Sequence, residues 1–534
     1  MRFFNTAGPC VAGQHYLVDP LARLDLEEVR AMIDQQRFFV LHAPRQTGKT
    51  TSLLALMAFL NQEGRYRALY ANIEAAQAVR HDVTRGLDTI CRTIGSRARD
   101  YGVDPALEGI AAEVLATHDP SGALTEMLSR WARASDRPLV LILDEVDALV
   151  GDTLISLLRQ LRAGYAQRPA AFPQSVILCG VRDVRDYRIH SSHQEIITGG
   201  SAFNIKAASL RLDNFSREEI LGLYHQHEAD TGQRFDPAIF EELWEDTQGQ
   251  PWLVNALGHE MTWNDRELRN RAIPIDLERY RAARERLIQW RATHLDQLTD
   301  KLREGRVHRV ISALLTDEEG LGDIPPDDQL YVADLGLIRV RPQVEIANRI
   351  YREVIPRELS WVAQTRIPQQ TAWYLDPDRR LNLPKLLEAF QQFFREHADA
   401  WLLNLDFKEA GPQLLLQAFL QRIVNGGGRI SREYGLGRRR TDLFLEWPLD
   451  EGLGYRGPLQ RVVLELKVLR PTGHRGLDAT LAEGLEQTAD YADRCRADEA
   501  HLILFDRRPG RSWEERIWRR EERRGERVIQ VWGT

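Results

Sequence analysis

Several features that would narrow the class of this protein are scarce or absent from its sequence. The 534 residues include only four cysteines, and no two of them form a CxxC pair. This usage argues against a disulfide framework or a cysteine zinc site and is typical of a reducing compartment. No apolar run approaches the roughly 20 residues of a membrane span, and the first residues lack the apolar core of a signal peptide. We therefore expect a cytoplasmic protein with no membrane partner.

The composition is otherwise that of a globular protein. Hydrophobic residues make up 43% of the chain and charged residues 28%, with no low-complexity tract or internal repeat. The net charge of −7 argues against a globally basic nucleic-acid-binding protein but leaves local basic patches open. Because the chain is longer than one hydrophobic core usually supports, we expect about three or four domains.

A loop that connects a predicted strand to a predicted helix is the strongest motif. The strand is the apolar run 38–41, and the helix follows residue 50. The loop consists of Ala43, Pro44, Arg45, Gln46, Thr47, Gly48, Lys49 and Thr50. Backbone N–H groups of such a loop and the positive end of the next helix stabilise an anion. Lys49 would reach the β- and γ-phosphates of a nucleotide, and Thr50 would hold Mg²⁺. Ala43 replaces the usual glycine, and because alanine is small we expect the turn to form.

A second predicted strand ends in acidic residues. Residues 139–143 are apolar, and Asp144 and Glu145 follow them directly. This pattern predicts a strand buried on both faces whose carboxylates lie at its carboxyl end, where ligands bind in open parallel sheets. We expect Asp144 to hold Mg²⁺ through water and Glu145 to orient and polarise the attacking water. Asp147 is better explained as a helix cap than as a reactive group.

Two further features complete the N-terminal half. A buried strand at 175–181 ends at Arg182, where an arginine can stabilise the charge of a phosphoryl-transfer transition state. A surface ion pair is the alternative role for Arg182. From about residue 210 the pattern becomes helical, and the sequence Gly-Gln-Pro at 249–251 opens one of the helices.

Together these motifs resemble AAA+/STAND-type P-loop ATPases over about residues 1–290. The resemblance implies an α/β fold with a RecA-like parallel sheet over residues 1–205 and a helical lid over residues 206–300. It also implies that ATP and Mg²⁺ are the cofactors and that Pro251 lies against the nucleotide. Because the segment before the first strand often lines the base pocket in this group, His15 and Tyr16 are candidates for adenine contacts, with simple packing as the alternative.

Residues 301–360 resemble a winged-helix unit, with apolar residues at helical spacing followed by a short predicted hairpin. Such a unit binds DNA or only packs on the lid. Acidic residues in its second helix, among them Asp327, Asp328 and Asp334, favour packing because they repel phosphates. Residues 361–384, which include Pro368 and Pro377 among other loop-forming residues, are predicted to form a linker.

A second group of charged residues lies in the C-terminal part. Glu465 and Lys467 are two residues apart on a predicted strand and share one face of it. Two charges on an otherwise apolar strand are costly to bury unless they bind something. Asp442 opens the strand predicted to pair alongside. Asp442 and Glu465 could therefore hold Mg²⁺ with the carbonyl of Leu466, and Lys467 could position or activate water.

Residues 385–534 resemble the PD-(D/E)XK nuclease superfamily, with Asp442 and Glu465-Leu466-Lys467 as its core motif. Gln487 and Tyr491 resemble an element of its RecB-like branch, and Glu433 matches an upstream acidic residue of many members. Thr441 stands where proline is common. The neighbouring basic residues are plausible phosphate contacts: Arg438, Arg439 and Arg440. The last predicted strand is 501–506, and the charged tail 516–527 is interpreted as a solvated face. A coincidental Glu-x-Lys and a non-cutting nuclease fold are the alternatives.

The sequence thus predicts an ATP-binding, AAA-like ATPase fused to a Mg²⁺-dependent nuclease, with ATP-regulated cleavage of nucleic acid, most simply DNA. The alternative is an ATP-dependent switch or scaffold whose C-terminal domain only binds nucleic acid or protein. Assembly into a homo-oligomer is left open by the sequence.

Overall fold

A computed structural model describes most of the chain. The described residues are 2–79, 82–149, 151–181, 188–190, 196–198, 206–289, 301–302, 304–315, 324–340, 343–355, 374–404, 411–424, 428–436, 439–450, 453–469, 476–506, 508, 510–525 and 527–534. The chain divides into two units, Met1–Ala283 with Leu330–Arg339 and Arg284–Gln329 with Val340–Thr534.

The elements up to residue 289 alternate between helices and strands and then become helical. In chain order they are α1 Leu26–Asp34, β1 Phe38–His42, α2 Lys49–Glu63, β2 Arg67–Asn72, α3 Val83–Asp100, α4 Ala106–Thr117, α5 Pro120–Ala134, β3 Leu139–Asp144, α6 Gly151–Ala163, β4 Ser175–Gly180, β5 Arg188–His190, β6 Ile196–Thr198, β7 Lys206–Arg211, α7 Arg217–Thr231, α8 Ala238–Thr247, α9 Pro251–His259 and α10 Leu277–Gln289. We call α7, α8 and α9 the lid helices.

The elements after residue 300 begin with short pieces and end in strands. They are α11 Gly305–Leu315, α12 Pro326–Asp334, β8 Ile338–Arg339, β9 Glu345–Ile346, α13 Leu383–Asn404, α14 Gly411–Val424, β10 Arg429–Leu436, β11 Arg439–Pro448, β12 Leu459–Leu469, α15 Leu477–Arg494, β13 Glu499–Asp506, α16 Trp513–Arg516, β14 Trp518–Arg524 and β15 Arg527–Gly533. Among the helices that the structure describes, none is both long enough and apolar enough to cross a membrane.

A five-stranded sheet in the order β2-β3-β4-β1-β7 organises the first unit, and all neighbouring strands are parallel. Side chains alternate between its two faces. Phe38 and Val40 pack with α3 to α6, whereas Phe39 and Leu41 pack with α1 and α2. Burial on both faces explains why β1, β3 and β4 are nearly continuous apolar runs. The predicted parallel sheet of a P-loop ATPase is confirmed.

This topology brings the ends of several strands to one edge. Because β1, β3 and β4 run in the same direction and are neighbours in the order β3-β4-β1, the loop after β1 and Asp144 at the end of β3 meet at the carboxyl edge. Such an edge is where open α/β sheets bind ligands.

The second unit contains a mixed sheet in the order β10-β11-β12-β13-β15-β14. The pairs β10–β11, β11–β12 and β14–β15 are antiparallel, whereas β12–β13 and β13–β15 are parallel. Helices α13 and α14 contribute to the apolar cluster on one face, and α15 covers the other. The winged-helix and nuclease assignments, and the domain boundaries, stay predictions.

The prediction that 501–506 is the last strand is wrong, because β14 and β15 form an antiparallel hairpin that completes this sheet. The side chains of β14 are mostly exposed, in agreement with the interpretation of 516–527 as a solvated face. Ile529, Val531 and Trp532 on β15 are buried. The charged residues of β14 lie on an edge strand, where arginine and glutamate discourage pairing with another chain. The strand 501–506 is therefore followed by two more strands.

Candidate functional site

The loop between β1 and α2 bends through two left-handed residues. Gln46 has φ 59° and Gly48 has φ 91°, a region that costs most residues free energy but not glycine. A Cβ on Gly48 would also lie 2.7 Å from Nη1 of Arg23. The hydroxyl of Thr47 donates to the carbonyl of Pro44 at 2.8 Å, which closes the turn. With Ala43 in the first position, the turn does form as expected.

Lys49 is held inside this loop. The side chain is buried, and its Nζ donates to the carbonyls of Ala43 and Pro44, both at 3.0 Å. Carbonyl oxygens carry partial negative charge, so a phosphate oxygen can replace them as the partner of the ammonium group. The loop therefore keeps the lysine beside the start of α2, where backbone N–H groups favour an anion.

Asp144 is fully buried at the end of β3 and receives three hydrogen bonds. The hydroxyls of Thr50 and Tyr70 each donate to Oδ2 at 2.8 Å, and the backbone N–H of Glu145 donates to Oδ1 at 2.9 Å. Burial, followed by the charge of Asp144, raises the pKa of Tyr70, so Tyr70 is a neutral donor. The carboxylate and the Thr50 hydroxyl are hard oxygen donors in contact, which suits Mg²⁺.

Glu145 follows in a left-handed conformation with φ 58°. Burial, and next the charge of Asp147, raise the pKa of its carboxyl group. A raised pKa brings a carboxylate closer to the range that suits a general base. Cys179 lies on the neighbouring strand β4, and burial raises the pKa of its thiol well above the usual range, so the thiol stays neutral. Arg182 lies outside the described residues.

A cavity opens between the N-terminal segment, the P-loop and the lid helices. Its wall contains residues 5–8, Cys10, residues 16–18, Pro20, Arg23, Gln46, Gly48, Thr51, Ser52, Phe215, Leu223, Pro251, Trp252 and Asn255. Tyr16, a candidate for adenine contacts, and Pro251, expected to lie against the nucleotide, both line it. His15 instead accepts a hydrogen bond from the N–H of Val11 through Nδ1 at 2.8 Å, which favours the packing alternative.

The Gly-Gln-Pro sequence shapes the lid side of this cavity. Gly249 has φ 71°, and a Cβ on it would lie 2.0 Å from the carbonyl oxygen of Phe215. The N–H of Phe215 donates to the Gly249 carbonyl at 2.8 Å. Gln250 caps α9 by accepting from the N–H of Leu253 at 2.6 Å, and Pro251 occupies the first turn. The cavity side of α9 is thus fixed by close backbone contact.

Sequence reasoning missed Arg23 and Tyr70. Arg23 donates from Nη1 to the carbonyl of Thr47 at 2.6 Å and from Nη2 to that of Asp213 at 2.5 Å. No sequence motif contains Arg23, so the sequence gave no indication of this role. The contact of Tyr70 with Asp144 was predictable. Tyr70 lies on β2, which pairs with β3, and alternate residues of adjacent parallel strands share a face.

In the second unit, Glu465 and Lys467 lie together on β12, with Nζ of Lys467 3.1 Å from Oε1 of Glu465. Glu465 is 3% exposed. Helix α15 packs on this face of the sheet, where a Cβ on Gly484 would lie 3.4 Å from Cγ of Lys467. Gln487, one turn further along α15, has a buried Oε1 without a hydrogen-bond partner among the described residues.

Tyr491 is also buried on α15. Several predicted residues of this region have side chains outside the described part of the structure: Glu433, Arg438, Arg439, Arg440 and Asp442. The backbone pairs Leu443 of β11 with Leu464 of β12, so Asp442 and Glu465 are the next residues along the two strands. Within the described residues, no group of three or more His, Cys, Asp or Glu side chains is placed to hold a metal ion.

Comparison with known proteins agrees with the geometry of the first site. A family model described as an AAA domain matches residues 31–187. No curated protein matches the sequence. Residues 31–187, which contain the P-loop, Asp144 and Glu145, therefore form an AAA-type P-loop ATPase domain.

Several solved structures are similar over part of the chain. The Walker-type ATPase PABY2304 of Pyrococcus abyssi is 14% identical, with a TM-score of 0.45, over 66% of this chain and 99% of that one. Cdc6p from Pyrobaculum aerophilum is 12% identical, with a TM-score of 0.35, over 76% and 93%. A RuvB variant from Thermotoga maritima is 13% identical, with a TM-score of 0.32, over 62% and 92%.

Proposed function

We propose that this protein binds and hydrolyses ATP in its AAA-type domain and uses its C-terminal unit as a Mg²⁺-dependent nuclease that cuts DNA. The observation that carries the ATPase part is the contact of Thr50 with buried Asp144, beside a lysine held by the P-loop. These groups supply what a nucleoside triphosphate with Mg²⁺ requires.

At the ATPase site each residue has a distinct task. Lys49 would exchange its carbonyl partners for the β- and γ-phosphates, and Pro251 and Tyr16 would border the base. Thr50 and Asp144 would hold Mg²⁺, which neutralises phosphate charge when bound. Glu145 would accept a proton from the attacking water, a role that its raised pKa supports. Arg182 is the proposed sensor of the γ-phosphate.

The nuclease part is supported by the burial of Glu465 and by its position across from Asp442. Leu443 pairs with Leu464, so Asp442 and Glu465 are the next residues along these two antiparallel strands. Asp442 and Glu465 would then hold Mg²⁺, assisted by Glu433, and Lys467 would position the attacking water. Gln487 and Tyr491 on α15 would orient the site, and the arginines at 438–440 would contact phosphates.

One observation favours the second candidate function, a switch or scaffold that binds nucleic acid or protein without cutting. The ion pair between Lys467 and Glu465 already neutralises both charges without a metal ion. Buried charges that are paired need no ligand to be tolerated. The C-terminal unit would in that case transmit the nucleotide state to a partner.

A nuclease assay on single- and double-stranded DNA and RNA, with Mg²⁺ and with or without ATP, separates the two. Lys467→Ala should abolish cutting while ATP binding stays intact, because Lys467 lies in the second unit and the residues of the ATPase site lie in the first. Arg494→Ala, which removes an exposed ion pair with Asp490 on α15, is the matched control. If Lys467→Ala still cuts, or if Glu465→Gln leaves Mg²⁺ binding unchanged, the nuclease assignment fails and the non-cutting candidate stands.

A further inference from the structure

The wall of the nucleotide cavity contains a buried hydrogen-bond acceptor that the ATPase motifs do not use. Asn255 lies on α9, four residues after Pro251, and 7% of its surface is exposed. Both residues line the cavity. The side-chain oxygen Oδ1 of Asn255 is buried and has no hydrogen-bond partner among the described residues. Such an atom destabilises the protein until a donor reaches it.

The orientation of this amide follows from its neighbour. Nδ2 of Asn255 donates to the carbonyl of Pro251 at 2.8 Å. A backbone carbonyl can only accept, so the group that faces it must be the NH₂ end of the amide. The opposite end is therefore the oxygen, and the ligand atom that satisfies it must be a donor.

The surroundings indicate which part of a nucleotide lies there. Four residues of the lid helices line the cavity, namely Leu223, Pro251, Trp252 and Asn255. Of their side chains, only that of Asn255 can accept a hydrogen bond. Leu17 and Val18 add further apolar surface. The side of the cavity that the lid helices form is thus apolar with one hydrogen-bond acceptor, which suits a flat base, whereas the phosphates belong to the P-loop.

We propose that Asn255 accepts a hydrogen bond from the 6-amino group of adenine and thereby makes the site selective for adenine nucleotides. The inference rests on the proposed binding of ATP. Guanine and hypoxanthine carry a carbonyl oxygen at the same ring position, and that oxygen would face the oxygen of Asn255. Two acceptors cannot share a hydrogen bond, so such bases leave Oδ1 unpaired and are disfavoured.

The test is calorimetric titration of the full chain, in Mg²⁺, with ATP and with purine riboside triphosphate, which has hydrogen in place of the 6-amino group. The wild type should bind ATP roughly tenfold more tightly, the usual effect of one buried hydrogen bond. Asn255→Leu, which keeps the side-chain volume, should reduce that ratio to about one by weakening ATP binding and leaving the analogue within roughly twofold.

Thr262→Val is the matched control, because Thr262 is buried and donates to the carbonyl four residues before it, at 2.7 Å, but does not line the cavity. It should keep the wild-type ratio. Equal binding of the two nucleotides by the wild type, or an unchanged ratio in Asn255→Leu, would overturn the proposal.

A third ligand, 2′-deoxy-ATP, separates the base from the sugar. If Asn255→Leu weakens ATP and purine riboside triphosphate alike but leaves 2′-deoxy-ATP unchanged, the acceptor serves a ribose hydroxyl and the proposal is wrong. If the proposed ATP binding is itself wrong, the result is different. The wild type would then bind none of the three nucleotides, and Lys49→Ala would not change the titration.

Discussion

Arg23 provides a direct way to test how the nucleotide site is held together. Its guanidinium group donates to the carbonyls of Thr47 and Asp213 and lies 4.8 Å from the ring centroid of Phe215. Burial lowers the pKa of Arg23 to about 10, which still leaves the side chain charged at pH 7. One side chain therefore joins the P-loop to the segment that leads into the lid helices.

The cost of removing these contacts can be estimated. Hydrogen bonds to charged groups contribute about 1.5–3 kcal/mol each, and a cation above an aromatic ring contributes about 0.5–1 kcal/mol at a partly exposed site. Water replaces part of these contacts at a half-buried position. Arg23→Met, which keeps an apolar side chain, should therefore lower the free energy of unfolding by about 2–4 kcal/mol.

The same change should weaken ATP binding by about tenfold, or ~1.4 kcal/mol, because the loop around Thr47 loses a partner that orders it. Urea unfolding and calorimetric titration measure the two effects. Arg30→Met is the control, since Arg30 pairs with Glu63 at 2.5 Å in a more exposed setting, where ion pairs contribute about 0–1 kcal/mol. If the two variants lose the same stability and the same ATP affinity, the contacts of Arg23 with Thr47 and Asp213 do not stabilise the nucleotide site.

Two further predictions concern the backbone and the general base. Because the pKa of Glu145 is raised in the folded chain, the folded state binds more protons than the unfolded state between the usual and the raised value, so stability falls as pH rises through that window. Glu145→Gln should abolish ATP hydrolysis. Relative to the wild type, it should raise the midpoint of urea unfolding at pH 8 but not at pH ~4, where the glutamate is already protonated. Equal midpoints of variant and wild type at pH 8 would contradict the burial of Glu145. Gly249→Ala forces a Cβ to 2.0 Å from the Phe215 carbonyl, whereas Gly232→Ala, at φ 74°, meets no atom within 4 Å. The first should cost more than about 3 kcal/mol in urea unfolding and the second about 1 kcal/mol; similar costs would show that the backbone around Gly249 yields easily.

Local sequence was sufficient to predict the ATPase core. The run 38–41 predicts a buried strand because all of its residues are apolar, and the structure has β1 at Phe38–His42. Ser216 and Glu219 predict a helix start, and they form a capping box at the start of α7. These features depend on residues within a few positions of each other, where propensity and hydrogen bonding act directly.

Contacts between distant segments were beyond such reasoning. Arg23 reaches Thr47, 24 residues away, and Asp213, 190 residues away. No spacing rule connects these positions, since their proximity follows from the sheet order. The hairpin of β14 and β15 was missed for another reason, because its edge strand carries consecutive pairs of arginine and glutamate, and these hide the alternation of apolar and polar residues typical of a strand.

The N-terminal segment connects the other two walls of the nucleotide cavity. Toward the P-loop helix, the N–H of Cys10 donates to the hydroxyl of Thr51 at 3.0 Å. Toward the lid helices, the indole of Trp252 donates to the carbonyl of Thr6 at 2.9 Å. Tyr16 and His227 are joined by a buried hydrogen bond of 3.1 Å. A ligand that touches all three walls binds the assembled arrangement and not the separated segments, so the proposed nucleotide would stabilise these contacts by mass action. The segment before the first strand is therefore part of the wall of this cavity, although no ATPase motif lies in it.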